Sequence, residues 1–533
     1  MLVAAVGLGC YLATLLLYSE TITPFQRFPG ISSFVGDFAP LALALSAAVA
    51  AGVLVAAWRG VLAPARGLLV GGGLLYVASG VAFATATLTG LPGTGAWGTD
   101  APGGAFALAV TAMLALPTAV GCVAMALAWG RVYKGLTPRR SLAAVALAGL
   151  VACALGVALM VLPAFACVVL YGAAALVAAV LPAVAGACAP AGDAPVGPLS
   201  AGSADAPDPM PAVGVSAQPE PALPSSPAVA RPLTERLRSF LDVAAPAFAG
   251  LLAFAFVMGT MRELIVEAYP IHIATMALVS IVLLVLGLRS GRRPLTRLAE
   301  RSLIPVLAVT LLAVGNVTAA LWGGAAIDMV MIYLLYTLAA ALTLASLSAM
   351  AHAGEFSSDA IFATAVMLFS LASYAGLKTA ELVTSEQIRA LTAVVTTVYA
   401  FAMVLLPGLL TGRGRWAGDA RGFALDESGQ GGLVRGGFGA SGTDRSGGAG
   451  STTPPDPVPL TRAERCAELA ERCGLTAREA EVLAILAEGH SSGYISEALY
   501  ISPNTVRTHM HNIYRKLGVG SREDILLLVR DSC

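Results

Sequence analysis

Apolar residues fill most of this chain in unbroken blocks, without the three-and-four spacing that marks a single buried helical face. Each block runs about 18–25 residues, enough for a helix to cross a hydrocarbon core of ~30 Å. The predicted spans are 1–19, 38–57, 66–89, 104–129, 141–162 and 164–187. A second set follows at 239–260, 271–288, 303–322, 326–349, 359–377 and 388–411. Lipid offers no partner to a backbone N–H or C=O, so such segments close their own hydrogen bonds as helices. The pattern predicts an all-α protein: a polytopic bundle of about twelve transmembrane helices, six plus six.

Two stretches interrupt the apolar blocks. Residues 189–237 are rich in Ala, Pro, Ser and Gly, with no lysine or arginine before Arg231. Residues 412–460 are rich in Gly and end in Pro454-Pro455-Asp456-Pro457. Neither composition can bury a core, so both read as disordered linkers. The expected domains are a first transmembrane half (1–188), a cytoplasmic linker (189–237), a second half (238–411), a flexible linker (412–460) and a C-terminal domain (461–533).

In that last domain the pattern becomes one of short amphipathic helices with caps. Thr476 followed by Glu479 predicts a capping box. The helix behind it buries Val482, Leu483, Ile485 and Leu486, runs to about Glu488 and stops at Gly489. A short helix with Ile495 and Leu499 leads into the turn Tyr500-Ile501-Ser502. Ser502 is a good N-cap and Pro503 a good first residue for the next helix, about 503–516, which Gly518 terminates. A last helix, about 522–530, carries Ile525, Leu526 and Val529. Two helices joined by a three-residue turn form a helix-turn-helix, whose second helix is the candidate reader of the major groove.

Composition agrees with this division. Hydrophobic residues make up 57% of the chain and charged residues 12%. Soluble domains average near 45–50% and about 25%. The chain is therefore expected to be a membrane protein with a soluble appendage. With both termini cytoplasmic, sixteen lysines and arginines fall in inside loops and four (Arg27, Arg262, Lys378, Arg389) in outside ones. This bias predicts a multi-pass protein of the cell membrane with both termini, and so its C-terminal domain, in the cytoplasm. The eight cysteines show no zinc spacing and read mainly as small apolar residues. No metal or cofactor is expected, and no nucleophile, acid–base pair or phosphate loop points to catalysis. His509 and His511 lie two apart on one helix and diverge too far to share an ion.

From Leu475 onward six basic residues face seven acidic ones, so any nucleic-acid face must be local and binding is expected to need a dimer. From Ser502 to Leu517 there is none of the acid, and Arg507, His509, His511, Arg515 and Lys516 are present. The run Leu475-Thr476-x-Arg478-Glu479-x-Glu481-Val482-Leu483, Gly489, Ile495, Ser502-Pro503-Asn504-Thr505-Val506-Arg507-x-His509 and Lys516-Leu517-Gly518-Val519-x-Ser521-Arg522 resembles the LuxR/FixJ-type DNA-binding domain. The resemblance implies a four-helix fold that binds double-stranded DNA, commonly as a homodimer. It places Arg507, Thr508 and His511 where base edges are read, and Asn504, Thr505 and Lys516 where phosphates are held. Three positions depart from the usual pattern: Gly493 for lysine, Ser496 for alanine and Tyr500 for the turn glycine.

The membrane part resembles the major facilitator superfamily in its six-plus-six architecture. The loop Trp58-Arg59-Gly60-Val61-Leu62-Ala63-Pro64-Ala65-Arg66 lacks the acidic residue of that family's signature. The first half holds no ionisable group near mid-membrane. In the second half Asp242, Arg262, Glu263, Glu267, Asp328, Lys378 and Glu381 sit mostly at helix ends, as a solvated rim or as the lining of a polar pocket. Asn316 reads as a buried amide whose expected role is interhelical packing. Three functions are open: a one-component regulator sensing an unknown small molecule or envelope signal, a secondary transporter with a regulatory tail, and a tethered DNA binder with the bundle as anchor. The lack of intramembrane carboxylates weighs against proton coupling. A flexible linker transmits no small rotation, so signalling is expected through self-association or through docking and release of the C-terminal domain.

Overall fold

A computed structural model of the chain describes residues 1–17, 24–25, 32–59, 61, 65–89, 104–187, 233–289, 325–411, 462–519 and 522–531. Among them all regular structure is helical. The apolar helices are α1 (Leu2–Thr14), α2 (Ser32–Arg59), α3 (Ala65–Thr89), α4 (Gly104–Lys134), α5 (Pro138–Val161), α6 (Ala164–Ala187), α7 (Leu233–Thr260), α8 (Arg262–Arg289), α9 (Ala325–Ala353), α10 (Ser358–Ala380) and α11 (Ser385–Thr411). Eleven of the expected spans coincide with these helices. The expected span 303–322, and Asn316 with it, lies outside the described residues.

Among the described residues eight helices are long and apolar enough to cross a membrane: α2 and α4 to α10. The described apolar stretches of α1, α3 and α11 are shorter, at Leu2–Thr14, Val70–Ala86 and Ala390–Ala402. The first helix stops five residues before the expected end at 19, with Leu15 extended. Thr14 is buried at that point, and its hydroxyl serves both the Cys10 carbonyl (2.7 Å) and the Tyr76 hydroxyl (2.6 Å). A polar anchor thus marks the end of the helix, inside what hydropathy reads as one apolar run.

Packing divides the chain into two compact units, Met1–Arg289 with Ala340–Leu382, and Ser290–Ala339 with Val383–Cys533. In the first unit α1 packs on α5 and α6, α3 on α4 and α6, α2 on α4 and α10, α10 on α7, and α5 on α8. Helices from either side of 189–237 thus meet twice, α2 on α10 and α5 on α8.

Small residues set the closest crossings. A Cβ on Gly376 of α10 would run into the Phe256 carbonyl of α7, and one on Gly259 into the Ser373 carbonyl. Such approach needs glycine, and van der Waals contact of this kind drives helix association where lipid supplies no hydrophobic force. Polar bonds tie the halves together at one end. Arg131 of α4 forks onto Asp359 of α10, both contacts 2.8 Å. Ser348 donates to the Tyr133 carbonyl (3.1 Å), and the His352 ring bonds the Lys134 carbonyl (2.9 Å). Arg139 donates to the Gly287 carbonyl (3.0 Å) and to that of Leu288. At the rim, Lys378 pairs with Glu381 at 2.8 Å, both exposed. The side chains of Asp242, Arg262, Glu263, Glu267 and Asp328 lie outside the described ones.

Candidate nucleic-acid interface

In the second unit five short helices form a domain: α12 (Arg462–Arg472), α13 (Ala477–Ala487), α14 (Ser492–Leu499), α15 (Pro503–Leu517) and α16 (Arg522–Asp531). Four of them stand where the sequence places them. The fifth, α12, was not anticipated as a helix. Its buried residues, Cys466, Leu469 and Ala470, recur at helical spacing and supply the signal that would have found it. It packs on α13 and α16, and Arg465 donates to the Val529 carbonyl at 3.3 Å.

Caps fix each start. At α13 the capping box is complete: Thr476 Oγ1 accepts from the Glu479 N–H (3.3 Å), and the Glu479 carboxylate accepts from the Thr476 N–H (2.8 Å). Ser491 caps α14 and Ser502 caps α15 through the Thr505 N–H (3.2 Å). Gly489 and Gly518 adopt left-handed φ of 91° and 67°, ending α13 and α15 where a side chain would be strained.

The core beneath α15 is Val482, Leu483, Leu486, Ile495, Ile501, Val506, Ile513, Ile525 and Val529, all buried. Ile485, Leu517 and Leu526 are half-buried. Packing from this side fixes which face of α15 turns outward.

On that outward face Asn504, Arg507, Thr508 and His511 are exposed. Their spacing of three, four and seven makes one stripe. Arg507 and His511 make no hydrogen bond to any described residue, so a cationic fork and an imidazole stand ready for an external partner. The Thr508 hydroxyl donates to the Asn504 carbonyl (3.1 Å) and keeps acceptor capacity. Arg515, one turn beyond His511, is exposed on the same stripe; the sequence reading counted its charge without placing it there.

Two other expected site residues are engaged within the fold. Thr505 is half-buried, its hydroxyl 2.9 Å from that of Ser502. Lys516 donates to the Glu479 carboxylate (2.7 Å) and to the Gly474 carbonyl (3.0 Å). Burial alone would raise the Glu479 carboxyl. The Lys516 ammonium, with the Thr476 N–H and hydroxyl, outweighs it and holds the group below its ordinary value. Lys516 thus ties the end of α15 to the start of α13, with one N–H left over.

Among the described residues no cluster of three His, Cys, Asp or Glu could hold a metal ion. Cys466 is buried, which pushes its thiol up.

Comparison with known proteins covers α13 to α15 and most of α16, and leaves α12 outside. Residues 474–529 match the family GerE, described as bacterial regulatory proteins of the luxR family. Over 48 residues the chain is 50% identical to the transcriptional regulatory protein DegU of Brevibacillus brevis, covering 9% of this chain and 20% of that protein. Over 57 residues it is 40% identical to the HTH-type transcriptional regulator MalT of Yersinia enterocolitica and to that of Cronobacter sakazakii, covering 11% of this chain and 6% of each. The chain spans a fifth or less of the length of these relatives. The caps, turn and outward stripe of α13 to α16 lie inside the matched segment, and the C-terminal domain of this chain is a LuxR-type helix-turn-helix of the luxR family of bacterial regulatory proteins.

Proposed function

We propose that the protein is a membrane-integral, one-component transcription regulator. Its membrane helices sense a small molecule or an envelope signal, and its C-terminal domain binds promoter DNA from the cytoplasmic side. The observation that carries this reading is the exposed, acid-free stripe of α15 on a domain whose family implies a DNA-binding transcription regulator. The same chain holds eight helices fit to cross a membrane. No enzymatic step belongs to the reading.

On this reading α15 enters the major groove. Arg507 takes the O6 and N7 acceptors of guanine as a fork, the commonest specific contact. Thr508 and His511 meet neighbouring base edges. Asn504 and Thr505 hold phosphates near the start of the helix, where its dipole favours an anion. Lys516 adds its remaining N–H, and Arg515 a second charge. The near-neutral balance of the domain leaves one copy weak. A homodimer reading two half-sites about 34 Å apart supplies the rest.

The test is genome-wide mapping of DNA bound by the full-length protein in its native membrane, beside Arg507→Ala. Discrete peaks that vanish in the variant support sequence-specific regulation. Peaks that persist unchanged remove Arg507 from the reading set.

A second reading, a secondary transporter with a regulatory tail, has one observation in its favour: helices from either side of 189–237 pack on one another, α2 on α10 and α5 on α8, as the repeats of a transporter do around a central site. Substrate flux in vesicles, undiminished when residues 462–533 are removed, would favour it.

A further inference from the structure

Two of the three departures from the luxR pattern, Ser496 and Tyr500, meet in space. Tyr500 lies in the left-handed region, φ 54° and ψ 40°, alone in this among the described non-glycine residues. A side chain there crowds the backbone, and such residues persist where their surroundings over-determine them. The surroundings here are backbone bonds, one hydroxyl and the core that takes the buried Tyr500 side chain. The Tyr500 and Ile501 N–H groups both reach the Ser496 carbonyl, the latter at 3.2 Å. The Ser496 hydroxyl, itself buried, crosses the turn and donates to the Ile501 carbonyl at 2.6 Å. Alanine at 496 has no such donor.

We propose that Ser496 is a positioning residue for DNA reading: its bond to Ile501 holds the strained Tyr500 turn closed and so sets the angle at which α15 leaves α14. Ser502, the N-cap of α15, follows Ile501 directly. Any opening of the turn therefore swings the whole stripe from Asn504 to His511. Base-edge hydrogen bonds are short and directional, whereas phosphate attraction tolerates displacement. Loss of the clamp thus falls on specific binding and spares non-specific binding. Replacing Tyr500 by glycine removes the strain the clamp opposes together with a buried side chain, and Ser496 and Tyr500 act as a coupled pair. The proposal rests on the DNA-binding reading of the domain.

The experiment uses full-length protein in lipid nanodiscs. Wild type first selects duplexes from a randomised library. Affinity for the selected duplex and for a scrambled duplex of equal length is then measured for wild type, Ser496→Ala, Tyr500→Gly and the double variant. Ser496→Ala is expected to lose about ten-fold or more in the ratio of specific to scrambled affinity, with scrambled affinity within about two-fold of wild type. The double variant, which carries the alanine and glycine of the usual family pattern, is expected to recover the ratio. Hydrogen exchange across 476–517 reports whether each variant is folded. An unchanged ratio in Ser496→Ala overturns the proposal. So does an equal loss on both duplexes, or a double variant no better than Ser496→Ala. Should Ser496→Ala fail to fold, the double variant decides alone: folded with the wild-type ratio it supports the coupling, otherwise it overturns it. If wild type enriches no duplex, the DNA-binding reading itself fails and takes the proposal with it.

Discussion

Glu479 shows how one side chain can hold several elements. Its carboxylate closes the capping box of α13 and accepts from Lys516 at the far end of α15. Removing a partner from a buried, charge-assisted bond costs about 1–3 kcal/mol. Glu479→Ala is therefore expected to lower the midpoint of urea-dependent proteolysis of the C-terminal domain, and Lys516→Met to do so by a smaller amount. A charge-preserving Lys516→Arg that leaves the midpoint unchanged would show that the ammonium geometry is immaterial. The pH dependence has a fixed sign. Because the folded Glu479 carboxyl is held below its ordinary value, its stabilisation is complete above the unfolded pKa of about 4.3 and is lost as acid protonates the folded group below that. The same proteolysis series below about pH 4 should show a steeper loss in wild type than in Glu479→Gln. Lys516 also marks a limit of reading by spacing. Sequence resemblance puts it among phosphate contacts, but its bonds to Glu479 and Gly474 depend on a strand of chain forty residues away, which no local pattern reveals.

At the scale of elements, α10 joins α2, α4 and α7. Its first turn is built for the task. Ser357 caps it, and Asp359 lies near the positive end of the helix dipole while accepting the Arg131 fork. Half-buried on both sides, this pair stabilises little over two apolar residues, yet removing one partner strands the other charge. Arg131→Ala and Asp359→Ala should each lower the thermal stability of the detergent-solubilised protein, and the double variant should fall no further than the worse single. Additive losses would show that the two residues act separately. Gly376→Val should be more damaging, because its Cβ meets backbone rather than a movable side chain; recovery of folded protein on size-exclusion chromatography checks this. Most elements were legible in advance, since each carries its own signal: an apolar block, a cap, a glycine stop. The unanticipated α12 is mostly charged and short, and its buried side is completed by α13 and α16 rather than by its own sequence. The early end of α1 coincides with another contact that no local pattern shows, the hydroxyl bond of Thr14 to Tyr76 on another helix.

For the whole molecule, the proposed regulator must carry a signal across 412–460. Replacing residues 412–458 with a random Gly/Ser chain of equal length is expected to preserve the response of a target promoter. A chain of that kind spans roughly 35–40 Å root-mean-square and passes no torque. Complete loss of response would make the segment an ordered transmitter. The sequence by itself determined the long apolar helices, the caps and stops of α13 to α15, and the family of the C-terminal domain. These follow from apolar content and from local backbone chemistry, which are written residue by residue. Tertiary structure alone decided that Arg507 and His511 face outward together, that Lys516 is turned inward to Glu479, that Ser496 reaches Ile501 across a left-handed tyrosine, and that α2 meets α10 and α5 meets α8. Each depends on groups brought together from separate elements, and the free energy of such contacts is fixed by the geometry of the folded chain.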